Sequence, residues 1–403
     1  MRIGVLYIIL LTLLFACDTE SNVEPYYEQY FIKYYGTEGD QVGVDLLVNG
    51  DNSFLLLGSS KRTDGNSQIL LTKADALGNE IWSYTYGESH NEYAKSVILD
   101  PSGNILIAAV IEESDGGKTN GKIFKLNAEG VLIDSTYIGT DGFDDEINGI
   151  TITQNQELIV VGSTENVLAP GGSNTWDIFS IRMTLDLNEL PLSSWRRFYG
   201  YNEQDYGVQA FEKADGSFLF FGTTNRFTQD NSQQDGFNMF VFPTDNTGIV
   251  SGAEKYFGTL DNQEASQMIR TSDGGFAMIG TTTSASGGNS IFISRIRSNN
   301  DFLNAFPLNV NTNIRGRSIA ESSGDYIISG TIDSNGTTDI YLARVSSTGL
   351  IKWENSFGGA DFDVAGKVAA LNDGSIIIVG TVELESQTKM CLIKTSNLGL
   401  LEP

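Results

Sequence analysis

The chain has 403 residues, with 51 acidic against 25 basic side chains and a formal net charge of −26. Such a surface repels phosphate backbones and anionic headgroups, which excludes nucleic acid as a partner. One histidine, His90, excludes sites built from two imidazoles, and two cysteines, Cys17 and Cys391, leave no disulfide framework.

Arg2 is followed by an unbroken apolar run that ends in Ala16, and Cys17 comes next. The run is shorter than the roughly 20 residues of a spanning helix, and the small residue before Cys17 marks a secretory cleavage site. Leu14-Phe15-Ala16-Cys17 resembles the bacterial lipobox. That resemblance implies cleavage before Cys17 and a diacylglycerol on its sulfur, so 1–16 is a lipoprotein signal peptide and 17–27 a tether. Two or more acyl chains hold a protein on a bilayer where one is marginal.

From residue 28 onward the chain repeats itself. An aromatic or apolar residue followed by Gly recurs at Tyr35-Gly36, Tyr86-Gly87, Ile138-Gly139, Tyr199-Gly200, Phe257-Gly258 and Phe357-Gly358, with a degenerate unit at Phe306-Pro307. In phase with it run short apolar stretches ending in a small residue, such as Phe54-Leu55-Leu56-Leu57-Gly58 and Ile376-Ile377-Ile378-Val379-Gly380, in seven copies. Apolar runs of this length predict strands covered on both faces. A period near 50 residues with room for four strands per unit predicts a ring of stacked sheets.

Turn residues such as Asp215-Gly216 and Asp373-Gly374 separate the first two strands of each unit. The last strand begins with Trp82, Trp195 or Trp353, five residues before the Gly marker. Cys391 aligns with Phe292 and Tyr341, a core position. The chain stops just where the seventh unit needs its last strand, and residues 30–36 supply a spare one, with Phe31 in the place of Trp82 and Trp353. The expected fold is all-β: a seven-bladed β-propeller of four-stranded antiparallel blades over 28–403, its N-terminal strand closing the last blade. The pattern resembles the bacterial repeat family called SBBP-type, found in secreted and cell-surface proteins.

Loops on the face away from the tether carry an acid soon after each Gly marker: Asp40, Glu92, Asp145, Asp205, Glu264 and Asp363. An acid repeated in six units reads better as a cap on turn amides than as a ligand site, which is usually made once. Asp141, Asp144 and Asp145 are the residues a calcium ion would take, but the stretch lacks the six to eight oxygens it needs. No other metal and no cofactor is expected. Singular residues in the outward loops are the better binding candidates: Trp176, Tyr206, Arg226, Phe227, Arg315 and Arg317. The expectation is a monomeric, non-catalytic propeller held on the outer membrane by Cys17, binding a protein or glycan through its outward loops. An outer-membrane assembly scaffold and a carbohydrate-active hydrolase are the alternatives.

Overall fold

The computed structural model describes residues 29–114, 117–140, 142–165, 175–190, 195–200, 204–225, 236–258, 261–308, 312–334 and 336–402. The signal peptide, Cys17 and the tether lie outside these residues, as do Asp141, Arg226 and Phe227.

Seven four-stranded antiparallel sheets follow one another as blades spanning 41–86, 92–138, 145–199, 205–257, 262–308, 314–357 and 364–395. In the first six the strands lie in chain order. The seventh has three strands of its own, and its fourth is Phe31–Tyr35, paired antiparallel to Gln387–Thr395 with Phe31 opposite Lys394 and Tyr35 opposite Met390. The ring is thus closed by the first described strand, as the spare segment at 30–36 predicts.

The described residues form no single core. Seven apolar clusters each join two neighbouring blades, for example Leu55, Leu57, Ile69 and Leu71 of the first blade against Val97, Ile105, Ile107 and Phe124 of the second. The closing strand takes part in this: Phe31 and Tyr35 pack with Leu46, Leu56, Met390 and Leu392 between the last blade and the first. The seven apolar runs are second strands, which explains their lack of alternation: each is buried against a blade on either side.

The aromatic markers latch one blade to the next. The hydroxyls of Tyr35, Tyr86 and Tyr199 donate to the carbonyls of Gly78, Gly130 and Gly248 at 2.7, 2.6 and 2.8 Å, each in the third-to-fourth strand turn of the following blade. Those glycines have positive φ, and a Cβ on any of them would press on the ring of Phe31, Trp82 or Trp195. The Trp or Phe that opens a last strand is therefore the lid over its neighbour's turn.

One register differs from expectation. In the fifth blade Leu308, opposite Ile291, takes the place that Tyr86, Phe257 and Phe357 hold elsewhere, so the marker there is Leu308-Asn309 and not Phe306-Pro307. Pro307 sits inside Phe302–Leu308, an outermost strand, where a missing N–H costs no ladder bond on the open side.

Candidate functional site

The innermost strand of every blade carries the same irregularity. One extra residue interrupts the pairing with the second strand: Val44, Lys95, Asn148, Val208, Ser266 and Arg317 in the first six blades, and one of Gly366-Lys367 in the seventh. A bulge re-aims side chains, and seven at one level make a ring. Its consequences fix the neighbouring sequence. A Cβ on Gly58, Gly162, Gly222 or Gly280 would run into the carbonyl oxygen of Val42, Glu146, Tyr206 or Glu264 on the bulged strand, which is why the apolar runs end in a small residue. The amide just before the bulge is met by a hydroxyl of the preceding blade, as in Gly43 N–H to Thr381 (3.0 Å), Ala94 to Ser59 (3.1 Å) and Ala265 to Thr223 (2.8 Å).

This ring surrounds a central cavity of about 730 Å³ to which all seven blades contribute. Its charged lining is Asp45, Lys95, Glu264, Arg317 and Lys367, a net positive set in a chain of net charge −26. Asp45 is buried and fully engaged: Leu46 N–H (2.9 Å), Val97 N–H (2.7 Å) and Lys367 (2.7 Å) hold its two oxygens. Lys95 is shared between Glu146 at 3.4 Å and Asn148 at 3.5 Å. Gln209 and Gln267 accept from Met268 N–H (2.9 Å) and Ile319 N–H (2.8 Å) of the next blade, which leaves their amide nitrogens for the cavity. Arg317 makes no ion pair or hydrogen bond among the described residues. It is enclosed by protein yet reached by water along the channel, and this burial pulls its pKa below the usual arginine value, with Asp45 opposing. It stays charged at any working pH.

The structure relocates two sequence candidates. Arg315 and Arg317 do not stand in an outward loop; they belong to Ile314–Ser322, the innermost strand of the sixth blade. That strand begins only six residues beyond Leu308, so positions that look like loop in the sequence are already in strand, and Arg317 lines the channel.

Trp176 and Tyr206 do come together. Their rings lie 6.0 Å apart, and the Phe237 ring lies 6.2 Å from that of Tyr206. Tyr206 stands two residues before the bulge at Val208, at the outward end of the channel. Trp176 and Phe237 are equivalent residues of the third and fourth blades, three positions before Phe179 and Phe240, so Trp176 has a repeat counterpart that the sequence reading missed. Burial raises the Tyr206 hydroxyl pKa, with Glu146 and Glu264 adding to it, which places both acids near this aromatic group.

The repeated acids also shift register. The capping residue lies two positions before the last regular pair ahead of the bulge, which makes the set Gln41, Glu92, Asp145, Asp205, Gln263 and Asp363. All six are buried. Asp40, half-buried, and Glu264, exposed, are neighbours of the caps in the first and fifth blades. The caps hold the turn after the Gly marker: Glu88 N–H to Glu92 (3.0 Å), Thr140 N–H to Asp145 (2.6 Å), Gly359 N–H to Asp363 (2.9 Å) and the Gln41 amide to the carbonyls of Thr37 and Glu38. Burial raises the pKa of Glu92, Asp145 and Asp363. Asp144 is engaged with Lys118 at 2.8 Å and the Thr119 amide at 2.8 Å. Among the described residues no group of three or more His, Cys, Asp or Glu is placed to hold a metal.

No protein-family model matches the chain, and no curated protein does. Solved structures do. Ulvan lyase of polysaccharide lyase family PL25 superposes with a TM-score of 0.57 at 8% identity, over 92% of this chain and 97% of that one. Puromycin hydrolase gives 0.53 at 12% identity over 85% of this chain. The chain spans about half the length of that hydrolase, 50%. The β-propeller domain of the Trilobed protease from Pyrococcus furiosus, described as having an open velcro topology, gives 0.50 at 9% identity over 90% and 97%. These likenesses show the fold alone. It is a fold that a hydrolase, a lyase and a protease domain share.

Proposed function

We propose that this chain is a membrane-tethered, non-catalytic binding propeller that takes a glycan or protein on its outward mouth. The observation that carries the reading is the aromatic group Trp176–Tyr206–Phe237 beside a polar channel whose one buried carboxylate, Asp45, is already committed to two amides and Lys367. Aromatics beside amide and hydroxyl groups suit a sugar ring or a flat peptide surface, and both oxygens of Asp45 already hold structural partners, which disfavours a role in acid–base work. The resemblance of Leu14–Cys17 to a lipobox and of the repeats to SBBP-type units supports a bacterial cell-envelope lipoprotein on the outer membrane. The closing strand would then present the blade face opposite the mouth to the bilayer. The 13 residues between Cys17 and Phe31 reach roughly 45 Å at most.

One experiment covers anchor and mouth. Cells expressing the native chain, Cys17→Ser or the double variant Trp176→Ala/Tyr206→Ala are fractionated, and the purified proteins are applied to a glycan array and cross-linked in envelope extracts. The native chain is expected in membranes and Cys17→Ser in the soluble fraction. The double variant is expected to lose bound ligand at least tenfold while keeping its melting temperature. Membrane association without Cys17, or unchanged binding by the double variant, contradicts the reading.

A second reading has one observation in its favour. The outermost strand of the second blade, Leu132–Ile138, is an open edge with Val131, Leu132, Ile133 and Tyr137 exposed. Such an edge can receive a strand from a client protein, as an assembly scaffold would require. Under that reading Ile133→Lys, and not the Trp176 variant, abolishes capture.

A further inference from the structure

We infer that the channel is an anion site, and that Arg317 receives a carboxylate of an acidic oligosaccharide, another ring of which rests on the aromatic group at the mouth. This rests on the binding reading above and names the ligand class. Arg317 is placed in the channel by a bulge and makes no ion pair or hydrogen bond among the described residues; the nearby Asp45 carboxylate, which acts on it only through its field, is already held by two amides and Lys367. Lys367 and Lys95 differ from it, since Asp45 and Glu146 already hold them. A guanidinium presents a flat fork of donors that matches a carboxylate with two parallel bonds, which an ammonium does not. The long-range field of the chain disfavours anions, so selection must come from this local site. The neutral lining fits a sugar better than a peptide end. Gln209 and Gln267 keep their amide nitrogens, and Ser266, whose hydroxyl donates to the Gly316 carbonyl at 2.8 Å, keeps its lone pairs. These groups point at hydroxyls along the cavity, where a peptide carboxylate would need a nest of backbone amides.

The test uses the mature chain and oligogalacturonides of three to four residues, with the same oligomers after carboxyl reduction as neutral partners, read by titration calorimetry. The acidic oligomer is expected to bind at least tenfold more tightly than the neutral one, and added salt should narrow the gap. Arg317→Gln is expected to remove the discrimination and Arg317→Lys to keep part of it. Neither should move the melting temperature, because Arg317 anchors nothing else. Trp176→Ala should weaken acidic and neutral oligomers alike. Equal binding of both oligomers, or an indifferent Arg317→Gln, overturns the anion site and leaves the binding mouth standing. If no oligomer binds but a protein or C-terminal peptide is captured through Trp176 and Tyr206, the sugar inference falls and the binding reading survives. If nothing binds there, both fall.

Discussion

A chain that begins at Thr37 is expected to lose its native state. Phe31 and Tyr35 are buried in the cluster between the last blade and the first, and losing one buried aromatic side chain typically costs about 3–5 kcal/mol. Two such losses rival the whole net stability of a typical domain, about 5–15 kcal/mol. The truncation also removes the Tyr35 latch on Gly78 and uncovers Gln387–Thr395 as an open edge rich in apolar groups, a template for aggregation. Near-ultraviolet circular dichroism and size-exclusion chromatography should show a non-cooperative melt and soluble aggregates. A synthetic peptide of residues 29–36 in excess should restore a cooperative melt by mass action. A truncated chain that unfolds at the native temperature contradicts this.

The second large effect is expected at the bulges. In Gly58→Val the new Cβ would be driven into the carbonyl oxygen of Val42, while the Met390 sulfur lies 3.2 Å away on the neighbouring blade. The obstacle is main chain held by the bulge, so no rotamer relieves it, and the cost should exceed the usual overpacking range of about 1–3 kcal/mol. Ala109 stands at the equivalent position of the second blade and is fully buried, which shows that the bulge opens enough for one methyl group there. Ala109→Gly should therefore cost only about 1–2 kcal/mol, from chain entropy and one buried methyl group. Urea unfolding of the two variants measures the difference. A Gly58→Val protein within 1 kcal/mol of the native one would mean that the second strand does not press on the bulge.

The architecture was legible because each blade must solve the same problem in the same order. Trp82, Trp195 and Trp353 cover turns, Tyr86 and Tyr199 latch them, and Phe31 keeps that register at the other end of the chain. The caps were half legible. Reading for acids found Glu92, Asp145, Asp205 and Asp363, but Gln41 and Gln263 are buried at the same position without a charge, so residue type misdirected the search to Asp40 and Glu264. The channel was not legible. A bulge leaves no mark on hydropathy, because the extra residue can be Val44, Lys95, Asn148 or Arg317, and only its pairing reveals it. The small residue that ends each apolar run was the trace of it.

The closed ring is tested most directly by one cross-link. Tyr34 lies opposite Cys391 in the closing pair, and directly opposed residues on antiparallel strands have Cα atoms about 4.5–5.5 Å apart, within disulfide range. In a chain carrying Cys17→Ser, Tyr34→Cys should form a disulfide with Cys391 under mild oxidation, seen as one linked peptide by mass spectrometry. Lys33→Cys, whose side chain turns to the other face, should not. A reduced Tyr34→Cys protein, or a cross-link from position 33 instead, would contradict the closure of the seventh blade.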